Sequence, residues 1–151
     1  MVMMGGYYFE RRSEWNTAGD PIASQIVFST ALPKLVAYGI DVTSKCTMQA
    51  EECRRRFQGG PFEVVRDMAE VWFRKRDRMT FHDPLAGACI FEPDLCAYRQ
   101  GRVSVELTRG EHFGDTLFAE EAGGPHVVAE KVDAECFFKR YFGVTGVFAG
   151  R

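Results

Sequence analysis

His82 and Asp83 stand side by side in "TFHDPLAGACIF", residues 80–91, directly before Pro84 and an apolar run. The N–H groups at a helix start favour an ionised carboxylate, and such a carboxylate is a ligand for a hard cation such as calcium. The adjacent imidazole titrates near neutrality and can hand a proton to a leaving group. A second polar cluster is "SEWN", residues 13–16. Glu14 and Asn16 are two apart, so an extended loop points both to one side. A carboxylate beside an amide offers acceptors and a donor, which suits a polyhydroxylated ligand such as a sugar. Both clusters also have a plain structural reading. Asp83 is a favoured N-cap type, Pro84 suits the first helical position, and "SEWN" on spacing alone is a polar loop. The three histidines, His82, His112 and His126, match no zinc spacing.

The elements that must position these residues follow from periodicity and punctuation. "VMMGG" is a short apolar run stopped by two glycines and reads as a buried strand entering a loop. Residues 6–19 are polar and aromatic without a period. In "DPIASQIVFSTAL", Asp20 caps a helix that Pro21 opens, with Ile22, Ile26 and Ser29 on one face. "KLVAYGI" is a second strand, running into a "DVTSK" loop. Thr47 is placed to cap the next helix, "MQAEECRRRF", where Glu51 and Glu52 lie four residues before Arg55 and Arg56. After "GGP", "FEVVRDMAEVWFRKR" sets Val65, Met68, Ala69 and Trp72 at helical spacing, and Trp72 is read as a core residue. "LAGACIF" after Pro84 is apolar nearly all round and predicts a buried helix. Its N-terminus then opens at the carboxyl edge of the sheet, where α/β proteins place ligands. "VSVEL" and "HVVAEKV" are strands, and Asp133 caps a last helix, "AECFFKRYF". The order predicts an α/β fold with a mixed sheet. The segment 143–151 is expected to be a loose tail.

Composition excludes several classes. The chain has 151 residues, 46% of them hydrophobic, enough for one domain with a real core. The net charge of −2 offers no basic footprint for nucleic acid. No apolar run is long enough to cross a bilayer, and the first residues do not have the pattern of a signal peptide. Five cysteines, an odd number without a C-x-x-C pair, argue against a disulfide framework and for a reducing compartment, the cytoplasm.

Six stretches in series then resemble one family. "MMGG", "EWN" with "DPIASQIVF", "GIDVTSK", "HDPLAGACIFEPDL", "VELTRGE" and "VDAECFFKRYF" occur in the order seen in the inosine-uridine nucleoside hydrolases. The resemblance covers nearly the whole chain and corresponds to the carboxyl-terminal half of such enzymes. It implies half of an open mixed-sheet, Rossmann-like fold, spread over residues 1–151 as a single α/β unit. It also implies hydrolysis of the N-glycosidic bond of a ribonucleoside to ribose and base.

By the same resemblance, Asp83 is a calcium ligand that also meets the ribose, and His82 is the proton donor or leaving-group contact. Glu14 and Asn16 bind ribose hydroxyls, and Met4 lines the ribose pocket. The family's Asp-rich loop, of the form DTDPGxDD, has no counterpart in this sequence. In the family it supplies most of the calcium carboxylates and the base for the attacking water. The expectation is therefore a site completed by an amino-terminal half. The alternative is a catalytically inactive module, derived from that family, that binds ribose or a nucleoside or serves as an interaction module. Uncovered sheet edges and apolar faces lead us to expect a homo-oligomer.

Overall fold

A computed structural model describes residues 1–146, with side chains as far as Gly143. Its centre is a five-stranded mixed sheet in the order β1-β2-β7-β5-β6. Strands β1 (Val2–Met4), β2 (Leu35–Tyr38) and β7 (His126–Val132) are parallel neighbours. Strand β5 (Cys96–Val105) runs antiparallel to β7, and β6 (Thr116–Glu120) antiparallel to β5. A two-stranded antiparallel sheet joins β3 (Thr47–Gln49) to β4 (Arg78–Thr80).

The strand β2 shows why this is a layered α/β fold. All four of its residues are buried. Val36 and Tyr38 face one core, Leu35 and Ala37 the other. A strand buried on both faces reads as a continuous apolar run, which is what "LVAY" is. The larger core gathers Phe57, Phe81, Leu85 and Phe137 with Val36 and Tyr38. Phe81 is its hub, with ring centroids 5.1 Å from Phe138 and 5.7 Å from Tyr141. Burying a side chain of this size contributes about 1.5–3 kcal/mol. The smaller core lies on the opposite face and includes Tyr8, Phe28, Val103 and Val128.

Helices surround the sheet: α1 (Trp15–Gly19), α2 (Pro21–Ser29), α3 (Ile40–Thr43), α4 (Ala50–Arg56), α5 (Pro61–Phe73), α6 (His82–Ala88) and α7 (Ala134–Gly146). Asp20 caps α2 through the Ala23 amide at 2.9 Å, and Asp133 caps α7 through the Cys136 amide at 2.9 Å, both as expected. Helix α7 runs through residues 143–146 of the expected tail; residues 147–151 lie outside the described residues.

Other local expectations are corrected. "SEWN" is not an extended loop but the start of α1. "DVTSK" begins as α3 rather than as irregular chain. Thr47 is not a cap: it pairs with Thr80 in the small sheet, and Gln49 holds the N-cap position of α4. Helix α5 buries Phe62 and Ala69, whereas Val65, Met68 and Trp72 are exposed. The Trp72 indole donates to the Arg78 carbonyl at 2.9 Å and meets the Arg76 guanidinium, so its polar edge ties it to the surface. Ile22 and Ile26 of α2 are also exposed.

Candidate active site

The loop that leaves β1 is fixed amide by amide. The Gly5 amide donates to the Tyr38 carbonyl at 3.1 Å. The Gly6 amide donates to Glu14 Oε2 at 2.9 Å, and the Tyr7 amide to Thr116 Oγ1 at 2.8 Å. The amides of Tyr8 and Phe9 donate to Asp41 Oδ2 and Oδ1 at 2.9 and 3.1 Å. Four different elements thus hold five consecutive residues. Gly6 has φ of 84°, and a Cβ there would lie 2.7 Å from the Tyr8 ring, so only glycine fits this turn. The Tyr8 hydroxyl closes the turn by donating to the Gly5 carbonyl at 2.8 Å. The result is a rigid rim at the carboxyl ends of the parallel strands β1 and β2.

Glu14 sits beneath this rim and is buried. Its Oε1 accepts from the Asn16 amide at 2.9 Å, and its Oε2 from Thr17 at 3.1 Å as well as from Gly6. It is the N-cap of α1, so the sequence reading of two side chains pointing the same way does not hold locally: Glu14 turns inward and Asn16 stays exposed. Asn16 Nδ2 donates to Met4 Sδ at 3.4 Å, which joins the third expected residue to the same rim.

His82 comes to this rim from α6, which packs against β1. Its Nδ1 lies 2.8 Å from Thr43 Oγ1, a hydroxyl presented by α3 just after β2. Burial lowers the His82 pKa below the usual imidazole value, and the carboxylates of Asp83 and Glu14 pull the other way. Glu14 is therefore within electrostatic reach of the imidazole. At neutral pH the ring is mainly neutral, and it becomes a proton donor through N–H or after gaining a proton with ligand bound.

Asp83 is exposed and lies within the first turn of α6. It is not the N-cap. Phe81 holds that position, because its amide is fixed to the Cys46 carbonyl at 2.8 Å and its ring to the core. Pro84 is the third helical residue, where a missing N–H still costs nothing. Helix α6 is only half buried: Leu85 and Ala86 face the core, while Ile90 and Phe91 beyond its end are exposed.

Four expected residues, Met4, Glu14, Asn16 and His82, thus converge on one end of the sheet, and Asp83 follows His82 in the first turn of α6. Thr43, Asp41, Tyr8 and Thr116 were not foreseen. Apart from the local Tyr8–Gly5 bond, their partners are 32 to 109 residues away in sequence, and no local spacing announces such pairs. Cavities of about 530, 510 and 270 Å³ have linings that include none of Met4, Glu14, Asn16 and His82. Calcium takes about six to eight oxygens. Among the described residues no three His, Cys, Asp or Glu side chains cluster to hold a metal, and Asp83 is a single carboxylate. The described residues alone do not fit a calcium site. His112 bonds to Asp115 at 2.8 Å and His126 to backbone, so the histidines do not assemble either.

The fold and this rim define an α/β protein whose polar groups gather at the carboxyl ends of parallel strands. The chain belongs to the inosine-uridine preferring nucleoside hydrolase family, whose sequence profile matches residues 1–139. It is 28% identical over 130 residues to uridine nucleosidase 1 of Arabidopsis thaliana, covering 78% of this chain and 38% of that protein. It is 31% identical over 125 residues to a pyrimidine-specific ribonucleoside hydrolase of Citrobacter koseri, covering 74% of this chain and 39% of that protein. Its fold matches a purine-preferring ribonucleoside hydrolase from Gardnerella vaginalis with a TM-score of 0.79 at 22% identity, over 98% of this chain and 52% of that one. An inosine-guanosine nucleoside hydrolase matches with a TM-score of 0.81 at 20% identity, over 96% of this chain and 51% of that one. The chain therefore spans about two fifths of these sequence relatives and about half of these structures. Among the described residues no helix is long and apolar enough to cross a membrane.

Proposed function

We propose that this chain supplies the ribose and leaving-group wall of a nucleoside hydrolase site, for cleavage of an N-glycosidic bond by water. The convergence of Met4, Glu14, Asn16 and His82 on the β1–β2 rim supports this reading most directly. A carboxylate has about four acceptor positions, and Glu14 uses three on backbone amides. The fourth accepts a ribose hydroxyl, while the exposed Asn16 amide serves a second. Departure of the base builds positive charge on the ribose, and the buried carboxylate stabilises it. His82 neutralises the departing base, a step that contributes about a hundredfold or more.

Calcium and the general base for water belong, in this reading, to the remainder of a full-length family member. That remainder is an amino-terminal half, in the same polypeptide or in a partner chain. Asp83 then adds one carboxylate to a shared cation site. The exposed strips on α2 and α5 favour self-association, and five free cysteines favour a reducing compartment, the cytoplasm.

The test is release of base from inosine and uridine, with and without calcium. The chain is assayed alone and mixed with the amino-terminal half of the Citrobacter relative. Calcium-dependent turnover only in the mixture is the expected result. Turnover by the chain alone would overturn the idea of a single wall. The employment of Glu14 by backbone amides favours a second reading, a ribose-binding module without chemistry, and binding without turnover in the mixture would select it.

A further inference from the structure

The thiols of Cys46, Cys89 and Cys96 lie in the larger core with the Tyr38 and Tyr98 side chains, and the proposed reaction uses none of them. Cys89 ends α6 and Cys96 begins β5, and their sulfurs are 3.8 Å apart. The Tyr38 and Tyr98 hydroxyls are 3.0 Å from each other. A cavity of about 270 Å³ reaches this cluster, lined by Cys89, Tyr38, Tyr98, Val36 and Ile90.

We propose that Cys89 and Cys96 are a thiol oxidation site, in which a small hydroperoxide converts the pair to a disulfide. The cavity admits an oxidant of that size to Cys89. The Cys89 sulfur attacks the peroxide, and the O–O bond breaks. One oxygen joins the sulfur as a sulfenic acid; the other leaves as water or alcohol after taking up a proton. The Cys96 sulfur then displaces that oxygen from Cys89. The S–S bond forms, and the oxygen leaves as water with the Cys96 proton. The two sulfurs together lose two electrons, and the peroxide gains them.

The cavity divides the roles, since its lining includes Cys89 and not Cys96. The Cys89 and Cys96 thiols share one hydrogen-bonded contact in which either can donate, and this pairing holds the Cys89 thiol below its usual range although burial opposes it. Cys96 is raised, because it keeps the shared proton and is itself buried. Asp94 also raises Cys89, which places a bound on the effect. Cys46, near enough to feel Cys89, is pushed up to about 12 by burial and stays a bystander thiol. A disulfide needs its sulfurs at about 2.0 Å. Residues 90–95 connect the two cysteines, with Ile90 and Phe91 exposed and Leu95 buried.

The test is oxidation of the full 151-residue chain with hydrogen peroxide, followed by non-reducing peptide mapping. The expected product is a chain with one intrachain Cys89–Cys96 disulfide and three free thiols of the original five. Cys96→Ser should stop at a Cys89 sulfenic acid trapped by dimedone, and Tyr98→Phe should slow the reaction several-fold. Competition labelling of the unsubstituted chain with iodoacetamide should modify Cys89 before Cys46 and Cys53. First oxidation at the more exposed Cys136, disulfide-linked dimers, or a peroxide-treated chain without the 89–96 bridge would each overturn the proposal.

Discussion

His82 and Thr43 form a hydrogen-bonded pair at 2.8 Å, and through it α6 is tied to the chain just after β2. Thr43 is fully buried, so its hydroxyl has no water to turn to. Thr43→Val keeps the shape and removes the bond. The imidazole Nδ1 then loses its partner in a half-buried setting, at a cost of about 1–2 kcal/mol. Urea unfolding checks the cost. NMR titration of the unsubstituted chain should find His82 below the ordinary midpoint of about 6.5, since burial dominates its environment. A midpoint above that value would contradict the burial argument.

The stability of the protein should fall on mild acidification. His126 bridges two elements: its Nδ1 accepts from the Val103 amide at 2.8 Å, so Nε2 carries the hydrogen donated to the Phe28 carbonyl at 2.9 Å. Protonation would break the first bond. Burial lowers its pKa, as it does for His82. Both groups bind protons more weakly folded than unfolded. Their contribution is complete above the unfolded value of about 6.5 and is lost as pH falls from there through the folded values. Thermal melts between pH 7.5 and about 5 should show the decline, with a slope of at most two protons from this pair. A flat profile would exclude it.

The mixed-sheet α/β fold was legible because β2 is an apolar run, "HVVAEKV" has strand character, and Asp20 and Asp133 are strong capping types. The short elements were not. Helix α1 starts at a glutamate, a weak capping type, so nothing in "SEWN" announces a helix. The exposed face of α5 has the period of a buried one, and periodicity cannot say which face meets the core. At the rim, the residue types at 14, 16, 82 and 83 could be singled out from the sequence. The pairings that fix them, Thr43 to His82 and Asp41 to Tyr8, depend on how the chain folds back and leave no local trace.

Glu14 carries two separable duties, and two substitutions distinguish them. Glu14→Ala removes the acceptor for three amides, Gly6, Asn16 and Thr17, and should destabilise the chain by about 2–4 kcal/mol. Glu14→Gln keeps one carbonyl oxygen and the shape, so its cost should be smaller, about 1–2 kcal/mol. If the carboxylate also serves the ribose, Glu14→Gln should remove turnover in the reassembled enzyme far beyond its effect on stability. Guanidinium unfolding and base-release rates on the same preparations measure the two quantities. Equal folding and catalytic losses would mean a cap and nothing more.

Gly39 is the point where the rim is most crowded. A Cβ there would lie 2.4 Å from Asp41 Oδ2 and 2.9 Å from the Gly6 carbonyl. The Asp41 carboxylate cannot retreat without releasing the amides of Tyr8 and Phe9. Gly39→Ala should therefore cost about 1–3 kcal/mol by overpacking. It should also raise hydrogen exchange at Tyr8 and Phe9, whereas exchange in β7 should change little. Asp41→Ala should reproduce the local exchange without the steric strain, because it removes the same two acceptors. If Gly39→Ala leaves the Tyr8 and Phe9 amides protected, Asp41 is not what holds the loop, and the rim has another anchor.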